Sequence, residues 1–129
     1  MQRSGVVARI VPERVVAVIR LDDPDKLRSV IEALAVGGVR VIEVTMTVPR
    51  AIELIGQVAS GLRDEVMIGA GTVLDAATAR QAIDAGAPFV VSPVLRRDVL
   101  AACHERGVPA MPGCFTPTEI LDAWDAGAD

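Results

Sequence analysis

Five times along this 129-residue chain an apolar run is followed by a helix-like segment that closes on glycine. The closing glycines are Gly37/Gly38, Gly61, Gly86, Gly107 and Gly127, about 20 to 25 residues apart. A strand–helix unit of that length cannot bury its own apolar strand, so the units must stack into one sheet with helices outside it. The runs themselves (Val15 to Ile19, Val39 to Val44, Val66 to Ala70, Phe89 to Val91) lack the alternation of a strand with one wet face. Near-continuous apolar strands belong to parallel sheets covered on both faces. The closed form of such a sheet is the eight-unit barrel, whose active site gathers at the C-terminal ends of the strands. The expectation is an α/β fold: a parallel (β/α) barrel of the TIM type, incomplete, with about five of eight units forming a single domain over residues 1–129.

Composition narrows the function. Hydrophobic residues make up 51% and aromatics 2%, so the core must be built from Val, Ile, Leu and Ala, the usual filling of a barrel. The formal net charge of −4 argues against nucleic acid or an anionic membrane as partner, because an acidic surface attracts neither. Base-stacking aromatics are nearly absent. No apolar stretch approaches a membrane span, and the first residues carry no signal-peptide core. Two cysteines, Cys103 and Cys114, make no disulfide framework. These features predict a cytoplasmic protein.

The units can be placed from local signals. Val6 to Val11 reads as a short leading helix ended by Pro12. The first strand, Val15 to Arg20, precedes Asp22-Asp23-Pro24, an acidic cap with proline in the first helical turn. Leu27, Val30, Ile31 and Leu34 then recur at helical spacing up to Gly37. Val39 to Met46 is the second strand, followed by a helix from about Pro49 to Ser60. Val66 to Ala70 is the third, with a helix starting near Asp75. A fourth strand ends at Ser92-Pro93 and leads to a helix over about Arg97 to Arg106. Pro109 to Met111 is the fifth, and Thr116-Pro117-Thr118-Glu119 has the residues of a capping box.

The chemistry is expected at the strand C-termini. Glu43 and Thr45 lie two apart on the second strand and so point to one side, toward the barrel mouth. A carboxylate within an apolar strand is costly unless it is paired or used. Desolvation raises its pKa and suits it to moving protons near neutral pH, the alternative being a structural Glu bonded to a neighbouring strand. Gly69-Ala70-Gly71-Thr72 closes the third strand with small residues that admit a ligand to the backbone, and with a hydroxyl.

In this order and spacing, Val41-Ile42-Glu43-Val44-Thr45, Gly69-Ala70-Gly71-Thr72-Val73-Leu74, Ser92-Pro93 and Pro112-Gly113 resemble the 2-keto-3-deoxy-6-phosphogluconate (KDPG) and 4-hydroxy-2-oxoglutarate (KHG) aldolases. The resemblance runs from about Val15 to the last residue. It implies a (β/α)8 barrel, usually a homotrimer, and a class I aldolase with no metal or other cofactor. The substrate is a small-molecule keto acid, cleaved through a lysine Schiff base to pyruvate plus glyceraldehyde 3-phosphate or glyoxylate. Glu43 would then be the general acid/base, Thr72 would hold the pyruvate carboxylate, and Pro93 would shape the wall beside it. The family's carboxylate-binding arginine follows the Glu by four residues. Here that position is Thr47, and Arg50, three residues on, is the candidate replacement, its plainer role being a solvated residue at a helix start.

The larger departure concerns the nucleophile. A Schiff base needs a primary amine, which arginine cannot replace. The one lysine, Lys26, reads as a solvated residue at the start of the first barrel helix. In the family the lysine follows an Ala-Gly-Ala-Asp like Ala126-Gly127-Ala128-Asp129. The chain is therefore expected to be inactive by itself. Other readings are a split half-barrel completed by another chain, or another phosphosugar barrel enzyme using Glu43 as a base. An open sheet would also expose its edges and inner face, inviting self-association. His104 is expected on a helix surface, Cys103 in helix packing, Cys114 toward the mouth, and Trp124 against the last helix.

Overall fold

The apolar runs become five parallel strands of one sheet, ordered as in the sequence. They are β1 (Ala17–Ile19), β2 (Val41–Thr45), β3 (Met67–Gly71), β4 (Val90–Ser92) and β5 (Ala110–Pro112). Helices α1 (Arg3–Ile10), α2 (Leu27–Val36), α3 (Ala51–Leu62), α4 (Ala76–Asp84), α5 (Arg97–Glu105) and α6 (Pro117–Asp125) precede, connect and follow them. This computed structural model describes residues 3–62 and 66–129. Every strand pair is parallel and joins nearest neighbours in the chain, the arrangement of consecutive units in a TIM-type barrel. Among the described residues the sheet stays open, and the barrel is incomplete.

Local signals act where the sequence placed them. The Asp23 side chain accepts from Asp25 N–H ahead of a 3-10 turn, Pro24–Lys26, that leads into α2. Asp75 accepts from Thr78 N–H at 2.8 Å to start α4. Thr116 and Glu119 form a reciprocal capping box at α6. Three boundaries differ from expectation, the first at Gly61, which lies inside α3 (Ala51–Leu62) instead of closing it. The leading helix starts at Arg3, and Pro12 sits inside a 3-10 turn, Val11–Glu13, rather than ending the helix; proline is tolerated in a first turn, where its missing N–H is not needed. β1 is shorter than Val15 to Arg20, because only Ala17 to Ile19 find ladder partners on β2.

Two apolar clusters lie on opposite faces of the sheet. Outside it, Ile42, Val44, Ile68, Ala70, Val90 and Ala110 pack with Leu27, Ile31, Ile55, Ala79 and Val99 of the helices. Inside, Val41, Met67 and Phe89 pack against Val6 of α1, with Ile10, Val91 and Met111 alongside. Helix α1 is thus a floor laid across the inner face. Each fully buried Val, Ile or Phe contributes roughly 1.5–3 kcal/mol by leaving water. Cys103 belongs to the outer layer as expected, and burial, helped by the Asp129 charge, pushes its thiol up to about 11.

The floor is clasped to the far end of the chain. Arg3 donates to the Asp129 carboxylate at 2.7 Å and to the Gly127 carbonyl at 3.0 Å. The same carboxylate accepts from Ala110 N–H, and Asp129 N–H donates to the Ala110 carbonyl, both at 3.0 Å. His104 is drawn into this cluster instead of lying on the helix surface. Its Nε2 is buried without a hydrogen bond, 3.9 Å from the Asp129 carboxylate. Trp124 also departs from expectation: Ala123 does the packing, while Trp124 is 72% exposed beside exposed Ile120 and Leu121. Among the described residues, none buries the indole.

Candidate active site

Strand register assembles the candidate site. Glu43 pairs with Val18 of β1 and Gly69 of β3, and Thr45 pairs with Gly71. Alternation along a strand then puts Glu43, Thr45, Gly69 and Gly71 on the inner face, at the C-terminal end of the sheet. Glu43 is 8% exposed. Burial raises its carboxyl above the usual range, and the charge of Arg20 pulls partly the other way. Desolvation is the stronger of the two, so a fraction of Glu43 stays protonated to higher pH.

Arg20 was not among the residues singled out by sequence. It follows β1, two residues beyond the strand partner of Glu43, and among the described residues it forms no ion pair. The signal that could have found it is the same period of two that relates Glu43 to Thr45, applied to Val18 and Arg20. Arg50 lies elsewhere. Its guanidinium bonds Asp25 at 3.0 Å and stands 3.8 Å from Glu53, an exposed surface network. The structure does not bring Arg50 to Glu43; two acidic side chains within reach hold it on the rim. Thr47 is likewise committed, its hydroxyl 2.6 Å from that of Thr45, which also donates to the Ile19 carbonyl.

Thr72 directly follows β3 with a left-handed backbone, φ 58°. That region is unfavourable for a β-branched residue, costing about 1–3 kcal/mol, and such strain gathers at functional sites. The fold holds it there through Met46 N–H to the Gly71 carbonyl at 2.8 Å and Val73 N–H to the Val91 carbonyl at 3.1 Å. Thr72→Gly is expected to raise the stability of the chain by about 1 kcal/mol in urea unfolding while removing the hydroxyl. Unchanged or lower stability would mean that the backbone is not strained there.

Pro93, past the end of β4, is exposed at the same end of the sheet. The loop after β5 buttresses it: Gly113 N–H donates to the Ser92 carbonyl at 2.7 Å, and a side chain at position 113 would overlap the Pro93 carbonyl. Cys114 turns back instead of opening to the mouth, its thiol 3.4 Å from the Glu119 carbonyl. Lys26 is exposed in its turn, 3.4 Å from Asp23. Glu43, Thr72 and Pro93 thus share one end of the sheet with Arg20; Arg50 and Lys26 do not join them.

The sequence model of KDPG and KHG aldolases matches residues 6–129. The chain belongs to this aldolase family. It is 41% identical over 114 residues to a 2-dehydro-3-deoxy-phosphogluconate aldolase of Treponema pallidum, covering 88% of this chain and 54% of that protein. To a KHG/KDPG aldolase of Escherichia coli it is 38% identical over 96 residues, 74% of this chain and 45% of the other. Among solved structures, the KDPG aldolase of Legionella pneumophila superposes with a TM-score of 0.80 at 32% identity, covering 87% of this chain and 54% of that one. That aldolase was captured with pyruvate as a covalent carbinolamine intermediate. The chain spans about half the length of the curated aldolases it matches.

Proposed function

We propose that residues 1–129 are the N-terminal five βα units of a KDPG/KHG aldolase, a lyase that cleaves a 2-keto acid to pyruvate and an aldehyde. The observation that carries this reading is the buried carboxyl of Glu43 on the inner face, raised by desolvation. In the reaction a lysine amine adds to the C2 ketone, and the carbinolamine loses water to an iminium. The C3–C4 bond then breaks, its electrons passing into the iminium while the C4 hydroxyl loses its proton as the aldehyde leaves. Protonation of the resulting enamine at C3 and hydrolysis release pyruvate and the amine. Glu43 suits the proton moves: it protonates the departing carbinolamine hydroxyl, takes the C4 hydroxyl proton and returns one to C3.

Thr72 and Arg20 are the natural pair for the substrate carboxylate, with Arg20 in place of the family's arginine at position 47. Pro93 walls the site. Lys26, exposed and beside Asp23, is not the Schiff-base lysine, and we assign that role to polypeptide outside these residues. These 129 residues would then be inactive without it. The complete enzyme would act as a cytoplasmic homotrimer, on the Entner–Doudoroff intermediate where KDPG is the substrate.

Intact mass tests this directly, on protein purified from its native source after treatment with pyruvate and borohydride. A species above about 20 kDa, the size of a whole barrel, carrying a reduced pyruvate adduct is expected. A 13.5 kDa chain without adduct would overturn the reading and favour a half-barrel completed by a separate partner.

A further inference from the structure

Two glycines of β3 leave room for side chains of neighbouring strands. A Cβ on Gly69 would overlap the ring of Phe89, and a Cβ on Gly71 would overlap Cγ, Cδ and Oε1 of Glu43. Neither glycine has the positive φ for which glycine is usually selected. Their absent side chains serve close approach instead. In a parallel sheet, inward side chains of adjacent strands stand side by side, roughly perpendicular to the sheet. Here Glu43 leaves that row and lies across β3, over the residue immediately before Thr72. Phe89, fully buried, covers Gly69, the register partner of Glu43.

We propose that Gly71 is a positioning residue: the notch it leaves in β3 turns the Glu43 carboxylate across the inner face toward Thr72. This deepens the acid/base assignment and rests on it, since an unused carboxylate would need no fixed direction. The notch also accounts for the environment of the carboxyl. Packed over Gly71, Glu43 is almost wholly buried and keeps less of its hydration, in line with its raised pKa. A side chain at 71 would force it upright, toward Arg20 and water.

The test is a double-mutant cycle on the purified chain, read by thermal unfolding and by the carboxyl carbon-13 titration of Glu43. Gly71→Ala is expected to lower the melting temperature by about 5 °C or more through overpacking, and to return the Glu43 titration toward the ordinary carboxylate range. In the Glu43→Ala background the same substitution is expected to cost little, because the overlapping atoms are gone. Gly69→Ala, which meets Phe89, is expected to destabilise equally in both backgrounds. If Gly71→Ala does not fold alone, folding of the Glu43→Ala/Gly71→Ala protein supports the notch. Failure of both to fold, an equal loss in both backgrounds, or an unmoved Glu43 titration overturns it. The acid/base reading fails on a different measurement, the turnover of Glu43→Gln, so the two failures are distinguishable.

Discussion

Phe89→Ala is expected to destabilise the chain by about 3–5 kcal/mol, the cost of emptying a fully buried aromatic site. The ring is 0% exposed, and it fills the inner cluster between Val41, Met67 and the α1 residue Val6. Gly69, which the ring covers, has no side chain with which to fill the gap. Against a total stability of about 5–15 kcal/mol for a domain, the loss leaves the variant close to unfolding at ambient temperature. Urea or thermal unfolding reads it, and a midpoint within a few degrees of the parent would show that the inner face is not a packed core. Phe115→Ala is the natural control, because that ring is 97% exposed.

Glu43→Gln should have the largest functional effect. In the enzyme that traps pyruvate, loss of a general acid/base is expected to slow exchange of the pyruvate methyl protons by about 10²- to 10⁴-fold. Trapping itself would slow less, since the amine is untouched. The same change acts oppositely on stability. Burial raises the folded-state pKa of Glu43, so the native chain holds this proton more tightly than the unfolded one. The stabilisation is complete below the ordinary carboxylate range and is lost as pH rises through the folded value. The glutamine variant lacks that slope and is expected to be the more stable protein near neutral pH. Equal exchange rates for parent and variant would remove Glu43 from the chemistry.

The parts of this molecule legible in sequence depend on local periodicity. Continuous apolar runs implied parallel strands, and Asp23, Asp75 and Thr116/Glu119 announced helix starts that the hydrogen bonds bear out. Glu43 was legible as a carboxylate inside an apolar strand. What escaped depends on register between strands and on the reach of long side chains. Arg20 nears Glu43 only because β1 and β2 pair Val18 with Glu43. Arg50 read as a substrate residue by proximity in sequence, yet Asp25, 25 residues away, holds it on the rim. His104 read as a surface residue because the carboxylate that draws it in belongs to Asp129. Gly71 looked like loop chemistry; its function follows from the direction taken by a side chain on another strand.

The clasp between Arg3 and Asp129 joins residues 126 apart and so bears on the order of folding. Each strand pairs with its sequence neighbour, so the sheet can grow unit by unit through short loop closures of modest entropy. Helix α1 packs Val6 against Val41, Met67 and Phe89, so it can dock once β2, β3 and the start of β4 have formed, and the clasp to Asp129 closes later. The clasp is therefore expected to be the last of these contacts to set, and a sheet whose inner face is not yet covered by α1 is the species prone to premature association.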